Sequence, residues 1–142
     1  MKLGIDYIYI PKADITESGS TKTITNAALY FTKTYLFVVP FQSLQVLLAG
    51  VGAKSGKMKN FVDEINKQIP AFNLNDFNKL MLDKLKHEWV YCISHLNIFE
   101  IKSGFWIFGK IQIRKKGGEL QAIYIQSRAL REEIRKFYVT SS

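Results

Sequence analysis

Towards the C-terminal end of the chain, apolar and polar side chains alternate in two short runs that flank Gly117-Gly118. Two adjacent glycines supply the positive φ angles of a type I′ turn, which is typical of a β-hairpin. A two-residue turn at this point predicts that Ile113 lies opposite Ala122. In that register one face of the hairpin is apolar, and it carries Ile111, Ile113, Leu120, Ala122 and Tyr124.

After Gln126 the period of the hydrophobic positions changes from two to about 3.6 residues. Apolar residues then recur at helical spacing, at Leu130, Ile134, Phe137 and Tyr138. This pattern predicts an amphipathic helix with one apolar stripe, and Ser127 is a suitable N-cap for it. The hairpin and the helix together predict the closing corner of a small β structure, with the helix over one end.

Upstream of this corner, further strand-like runs flank a helical segment. Segments rich in β-branched and aromatic residues predict strands at 3–10, 27–32, 35–41, 89–94 and 96–102. Residues 11–26 predict a loop. Two helices, joined by a turn at Pro70, are predicted from the spacing of Met58, Phe61, Val62, Ile65 and Ile69, and of Phe77, Leu80, Met81 and Leu85.

The predicted fold class is mainly β with a helical insertion, which is an α+β architecture. Seven strands are expected in a barrel or in two packed antiparallel sheets, capped by the C-terminal helix. An αα-hairpin is inserted between strands 3 and 4. A chain of 142 residues, 47% of them hydrophobic, is sufficient for one domain at 1–142, with the insertion at 43–87.

Cysteine content and hydropathy limit where the protein is expected to act. A single cysteine, Cys92, excludes an intrachain disulfide. The longest apolar runs are far shorter than the roughly 20 residues of a membrane span, and no signal-peptide pattern precedes Ile5. We therefore expect a cytoplasmic protein, either soluble or bound peripherally to the membrane surface.

Positive charge is concentrated in the last third of the sequence. Residues 101–142 contain nine Lys/Arg and three Asp/Glu, and so contribute +6 of the net charge of +8. This concentration favours an anionic partner, and Trp106, in a segment bounded by glycines, is expected to be exposed beside it. The candidate ligand-binding residues are Trp106, Lys110, Arg114, Lys116, Arg128, Arg131 and Arg135.

Several partners are compatible with this set of residues. The expected ones are an anionic lipid surface or an acidic protein. Single-stranded nucleic acid is an alternative, because aromatic and basic residues interleave here. A protein partner bound by the inserted helices is another, and in the simplest interpretation the charge only keeps the protein in solution.

Motifs for catalysis and metal binding are weak. The glycine run from Gly50 to Lys57 lacks the spacing of a phosphate-binding loop and is predicted to be a connector. Asp83, His87, Cys92 and His95 could supply four metal ligands, but a Cys-x-x-His pair alone is an incomplete zinc motif. The sequence shows no paired carboxylates and no nucleophile with a base. We expect a binding protein with no catalytic residues, metal or cofactor.

The order of the predicted elements resembles that of bacterial PH-like and GRAM-type domains of the pleckstrin-homology-like superfold. The similarity rests on residues 28–39 as an early hairpin, on 96–101, on the basic hairpin and on the helix at 127–138. It implies a seven-stranded barrel and a binding module for phosphoinositides, other lipid headgroups or peptides. Residues 11–26 contain no arginine, in contrast to the inositol-phosphate motif of that family.

Overall fold

The computed structural model describes residues 1–16, 24–42, 52–102, 110–118 and 120–139. Within these ranges the strands are β1 (Tyr7–Thr16), β2 (Ile24–Thr32), β3 (Tyr35–Gln42), β4 (Val90–Cys92), β5 (Leu96–Lys102), β6 (Lys110–Lys115) and β7 (Gln121–Tyr124). The helices are α1 (Gly52–Gln68), α2 (Leu74–Lys84) and α3 (Arg128–Val139). The fold is therefore mainly β and of the α+β class, and the predicted pair of helices lies between β3 and β4.

All seven strands belong to one antiparallel sheet with the order β4-β3-β2-β1-β7-β6-β5. Its edge strands are β4 and β5, joined by the 3₁₀ turn Ile93–His95, and the sheet is open, not closed into a barrel. It curves strongly nevertheless. The hydroxyl of Tyr91 on β4 donates to Oε1 of Gln121 on β7, over 3.0 Å, although three strands separate them in the sheet order.

The inner face of this curved sheet encloses the larger hydrophobic core, here called the inner cluster. It combines residues from six strands with α3, including Ile10, Ile15, Leu29, Phe31, Leu36, Tyr91, Ile111, Ile113, Ile123, Ile134 and Phe137. Helix α3 packs on it through the predicted stripe, with Leu130 and Tyr138 partly buried beside Ile134 and Phe137. The hydroxyl of Tyr138 also donates to the carbonyl of Thr32, over 2.8 Å. The C-terminal helix thus forms a wall of this core.

The inserted helices cover the opposite, outer face of β2 and β3 and form the outer cluster. Its buried members are Ala28, Tyr30, Phe37, Val39, Val62, Ile65, Ile69, Phe77, Met81 and Leu85. Asn73 caps α2 by accepting from the backbone N–H of Asp76, over 2.8 Å. Helix α1 begins at Gly52, so this part of the glycine run is helical and not the predicted connector. The apolar faces of α1 and α2 are used within the fold.

Strand β1 differs from its prediction at both ends. The sequence indicated a strand at 3–10 and a loop from residue 11, whereas β1 runs from Tyr7 to Thr16. Ala13 and Ile15 are buried and continue the inward alternation, but the register against β2 shifts between Ile10 and Ala13. This irregularity accommodates Pro11, which has no N–H to donate. The loop predicted at 11–26 is therefore wrong for residues 11–16 and 24–26, which belong to β1 and β2.

The register of the β6–β7 hairpin was predicted wrongly by one residue. Ile113 lies opposite Gln121 and Ile111 opposite Ile123. The N–H of Gly118 bonds to the carbonyl of Lys115 over 2.8 Å, and Gly117 adopts a φ of 76° whereas Gly118 does not have a positive φ. The tight turn therefore has Lys116 and Gly117 at its centre. An odd number of residues separates Ile113 from Gln121, whereas the predicted two-residue turn requires an even number between paired residues.

This shift exchanges the two faces of β7. Gln121 and Ile123 face inward, and Leu120 and Tyr124, which were assigned to the apolar face, are exposed. Such an exchange is the necessary result of a one-residue slip, because side chains alternate along a strand. Gln121 is tolerated inside because its amide bonds to Tyr91 and to the carbonyl of Thr16.

Candidate basic binding surface

Strand β6 separates apolar and basic side chains onto opposite faces of the sheet. Ile111 and Ile113 are fully buried in the inner cluster, so Lys110, Gln112 and Arg114 project from the outer face. Lys116 follows them at the exposed hairpin tip. We call Lys110, Gln112, Arg114 and Lys116 the basic strand surface. Alternate residues of a strand are about 7 Å apart, so three cations are spread along one line.

The strands beside β6 set the surroundings of this surface. Gln112 lies between Glu100 on β5 and Ala122 on β7, and Arg114 lies opposite Ile98. Lys110 lies opposite Tyr124, whose other neighbour on β1 is Asp14. Two carboxylates therefore flank the row of cations. In the described part of the chain, neither hydrophobic cluster includes residues from this outer face of β6 and β7.

The hairpin tip adds apolar area to the end of the basic strand surface. Leu120 is 52% exposed and follows the turn that presents Lys116. Tyr124, 38% exposed, lies at the opposite end of β7 beside Lys110. Sequence reasoning missed both residues as surface residues because it placed them in the core. What places them outside is that the hairpin connection contains an odd number of residues, because this parity decides which residues of β7 face outward.

Helix α3 carries the remaining arginines of the predicted set, and it lies on the other side of the sheet. Arg128 is exposed at its first position. Arg135 is partly exposed, donates to the carbonyl of Ile101 over 2.8 Å and lies 3.7 Å from a carboxylate oxygen of Glu132. Since α3 packs on the inner face, neither arginine belongs to the outward row on β6.

Arg131 is buried, with 1% of its surface exposed. Its guanidinium donates to the carbonyls of Ile125 and Gln126, the latter over 3.2 Å. These carbonyls belong to the segment that connects β7 to α3, so Arg131 fixes the start of the helix against the sheet. It is not accessible to a surface ligand. Trp106, the aromatic member of the predicted set, lies outside the described residues.

The potential metal ligands do not form a metal site. In the parts of the chain that the structure covers, no three His, Cys, Asp or Glu side chains lie close enough to hold an ion. His87, Cys92 and His95 do line one cleft, but Asp83 is not part of its lining.

Comparison with known proteins gives no relative. No protein-family model matches this chain, and neither a characterised protein nor a solved structure is detectably similar to it. Among the described helices, none combines the length and the apolar composition needed to cross a bilayer.

Proposed function

We propose that the protein is a non-catalytic binding module that attaches to an anionic lipid surface through the basic strand surface. The observation that carries the proposal is the alternation along β6, where the inward residues are buried in the core and the outward residues are Lys110, Gln112 and Arg114. A row of cations on a sheet matches a planar array of negative headgroups better than it matches an isolated anion.

The hairpin tip favours lipid over an acidic protein as the partner. Lys116 and Leu120 are both exposed in this part of the hairpin, and cations near an apolar side chain suit the boundary between headgroups and acyl chains. Each Lys or Arg near an anionic membrane contributes about 1 kcal/mol. Burial of one leucine adds about 1.5–3 kcal/mol. Three cations and Leu120 are therefore sufficient for reversible attachment.

We also propose that the fold is related to the PH-like domains that the sequence resembles. Support comes from the continuous hairpin order of the strands and from the C-terminal helix that packs on the inner face. In this proposal the basic strand surface replaces the arginine-containing first loop of that family as the contact for anionic headgroups.

The test is co-sedimentation with phosphatidylcholine vesicles that either contain or lack phosphatidylserine. The first variant changes Lys110, Arg114 and Lys116 to Glu, and the matched control changes the exposed Lys2, Lys59 and Lys79 to Glu, so both have the same net charge. Wild type and control are expected to bind the phosphatidylserine vesicles at low salt, and the first variant is expected to lose binding. Leu120→Ser should weaken it about tenfold or more.

Two results would overturn the proposal. One is equal binding by the two charge-reversed variants, which would show that net charge alone is responsible. The other is the absence of vesicle binding by the wild type at low salt while a single-stranded oligonucleotide or an acidic protein binds. Arg131 is left unchanged in this design because its burial makes substitution a test of stability instead.

A further inference from the structure

A cleft of about 450 Å³ opens between the C-terminal end of α2, the start of β3, strand β4 and the tip of the β6–β7 hairpin. Its apolar walls come from Leu82, Leu85, Val90 and Leu96, with Tyr35 beside them. The volume lies within the range of small-molecule sites in proteins, about 300–1,000 Å³. The cleft lies beside both edge strands of the sheet, and it exists because these two strands do not pair to close a barrel.

The polar side chains that line the cleft are either cationic or neutral. Lys115 and Lys116 line it together with His87, His95 and Cys92, and no Asp or Glu belongs to the lining formed by the described residues. The ammonium of Lys115 bonds to the carbonyl of His87 over 3.3 Å and lies 4.5 Å from the centroid of the Tyr91 ring. Both of these partners are neutral.

Lys115 is held in a position that suits an anion. Its side chain follows Ile113 on the inward face of β6, and the Tyr91 ring against which it lies is fixed by the hydrogen bond to Gln121. Burial lowers the pKa of Lys115, and the charge of nearby Glu88 acts in the opposite direction. A carboxylate or phosphate on a ligand would stabilise the ammonium form of Lys115, because it would replace the water that burial has removed from this group.

We infer that this cleft binds an amphiphile with one alkyl chain and an anionic head group. The head group lies at Lys115 and Lys116. The alkyl chain packs against the apolar side chains of the cleft, which are Leu82, Leu85, Val90 and Leu96. The inference goes beyond the proposed membrane attachment, since it concerns a single molecule inside the fold. A long-chain carboxylate and a long-chain phosphate share this chemistry. A free inorganic anion would make no contact with the apolar walls, and the two lysines disfavour a cationic or neutral amphiphile.

Cys92 provides a direct readout because it lines the cleft and is the only cysteine in the chain. The rate at which a thiol reagent modifies it is measured with dodecanoate, dodecyl phosphate, dodecanol or dodecylamine, each below its micelle concentration. One or both of the anionic probes are expected to slow modification at concentrations at which dodecanol and dodecylamine do not. The more protective anion identifies the preferred head group.

Two variants test the two halves of the cleft. Lys115→Met keeps the stem against Tyr91 and removes the charge, and is expected to weaken protection by the anions about tenfold. Leu82→Trp fills the cleft from a position that is 44% exposed, and is expected to abolish protection. The controls are Lys84→Met and Leu3→Trp, at exposed positions outside the lining.

Equal protection by all four amphiphiles, or none by either anion, would overturn the inference. Unchanged protection in Lys115→Met or Leu82→Trp would also overturn it, provided that the thermal unfolding midpoint shows a folded variant. Binding of Leu82→Trp to phosphatidylserine vesicles is measured in parallel. Retained vesicle binding with lost protection of Cys92 separates this site from the basic strand surface.

Discussion

At the scale of single residues, Arg131 is the charged side chain that the described fold buries most completely. It donates to two carbonyls between β7 and α3, and a hydrogen bond from a charged group to a buried acceptor contributes about 1.5–3 kcal/mol. Arg131→Ala is therefore expected to lower the free energy of unfolding by about 3 kcal/mol or more. Urea denaturation measures this, with the exposed Arg128→Ala as the control.

Arg131→Lys extends this prediction, because a lysine lacks the planar fork that reaches both carbonyls. It should recover only part of the lost stability. If Arg131→Ala is as stable as Arg128→Ala, the guanidinium does not hold α3 to the sheet.

The burial of Arg131 could have been predicted from its position but not from its type. It lies three residues before Ile134 and seven before Tyr138, which is helical spacing within the apolar stripe. Arginine is almost never fully buried unless it is paired, so the residue type favoured a surface position. The carbonyls that pair with it belong to the β7–α3 connection, and no local pattern reveals their orientation.

At the scale of elements, α3 is the wall that closes the inner cluster. Phe137 is 3% exposed and packs against Tyr138, with ring centroids 5.0 Å apart. Replacement by alanine removes the contacts and leaves a cavity, so Phe137→Ala is expected to cost about 3–5 kcal/mol. Val139→Ala, two residues further and 67% exposed, should cost almost nothing in the same denaturation experiment.

A cost below about 1 kcal/mol for Phe137→Ala would mean that the rest of the inner cluster is stable without the helix. Removal of residues 127–142 gives a stronger form of the test. The truncated protein is expected to lose cooperative unfolding because the inner faces of β1, β2 and β5 become exposed.

Elements were predictable from the sequence where their signal is local. Periodicity located α1, α2 and α3, and the runs of strand-forming residues located most of β2, β3 and β5. The errors concern properties that neighbours decide. The hairpin register depended on whether the connection contains an even or an odd number of residues, and two adjacent glycines fit either case. The continuation of β1 past Pro11 depended on a partner strand that accepts the irregularity.

At the scale of the whole molecule, two clusters on opposite faces of one sheet bury several phenols. Burial raises the pKa of Tyr91 to about 12 and raises the pKa of Tyr30 and Tyr138 still further above the ordinary value. The folded state therefore keeps these protons at a pH at which the unfolded state has lost them. Stability should be complete below about pH 10 and should fall as the pH rises from there towards 12, by up to about 1.4 kcal/mol per pH unit for each phenol.

Lys33 and Lys115 act in the opposite direction over the same range, because burial lowers their pKa. Both ammonium groups are less buried than the phenols, so the phenols should dominate. Urea denaturation at increasing pH, together with tyrosinate absorbance, measures the effect. Ionisation of all seven tyrosines near pH 10 without unfolding would contradict it.

Part of the basic strand surface could be predicted from the distribution of charge over the whole chain. Charge counting identified the C-terminal third and hence Lys110, Arg114 and Lys116, which alternation then placed on one face. The same counting could not separate them from Arg128 and Arg135, because the two sets belong to elements on opposite sides of the sheet. The cleft was not predictable, since it forms between edge strands whose proximity results from the curvature of the sheet.

The short pairing between β1 and β7 affects the polypeptide while it is still being synthesised on the ribosome. Among the described residues, the pairing of β1 with β7 is limited to Asp14 and Ile15, and β7 lies about 100 residues after β1 in the chain, whereas β2 follows β1 closely. Until β7 is synthesised, β1 is a free edge that a neighbouring nascent chain could extend. Pro11, with the irregularity around it and Lys12 exposed beside it, interrupts that edge. We therefore expect the feature that interrupts the strand pattern in the sequence to protect the unfinished chain from aggregation.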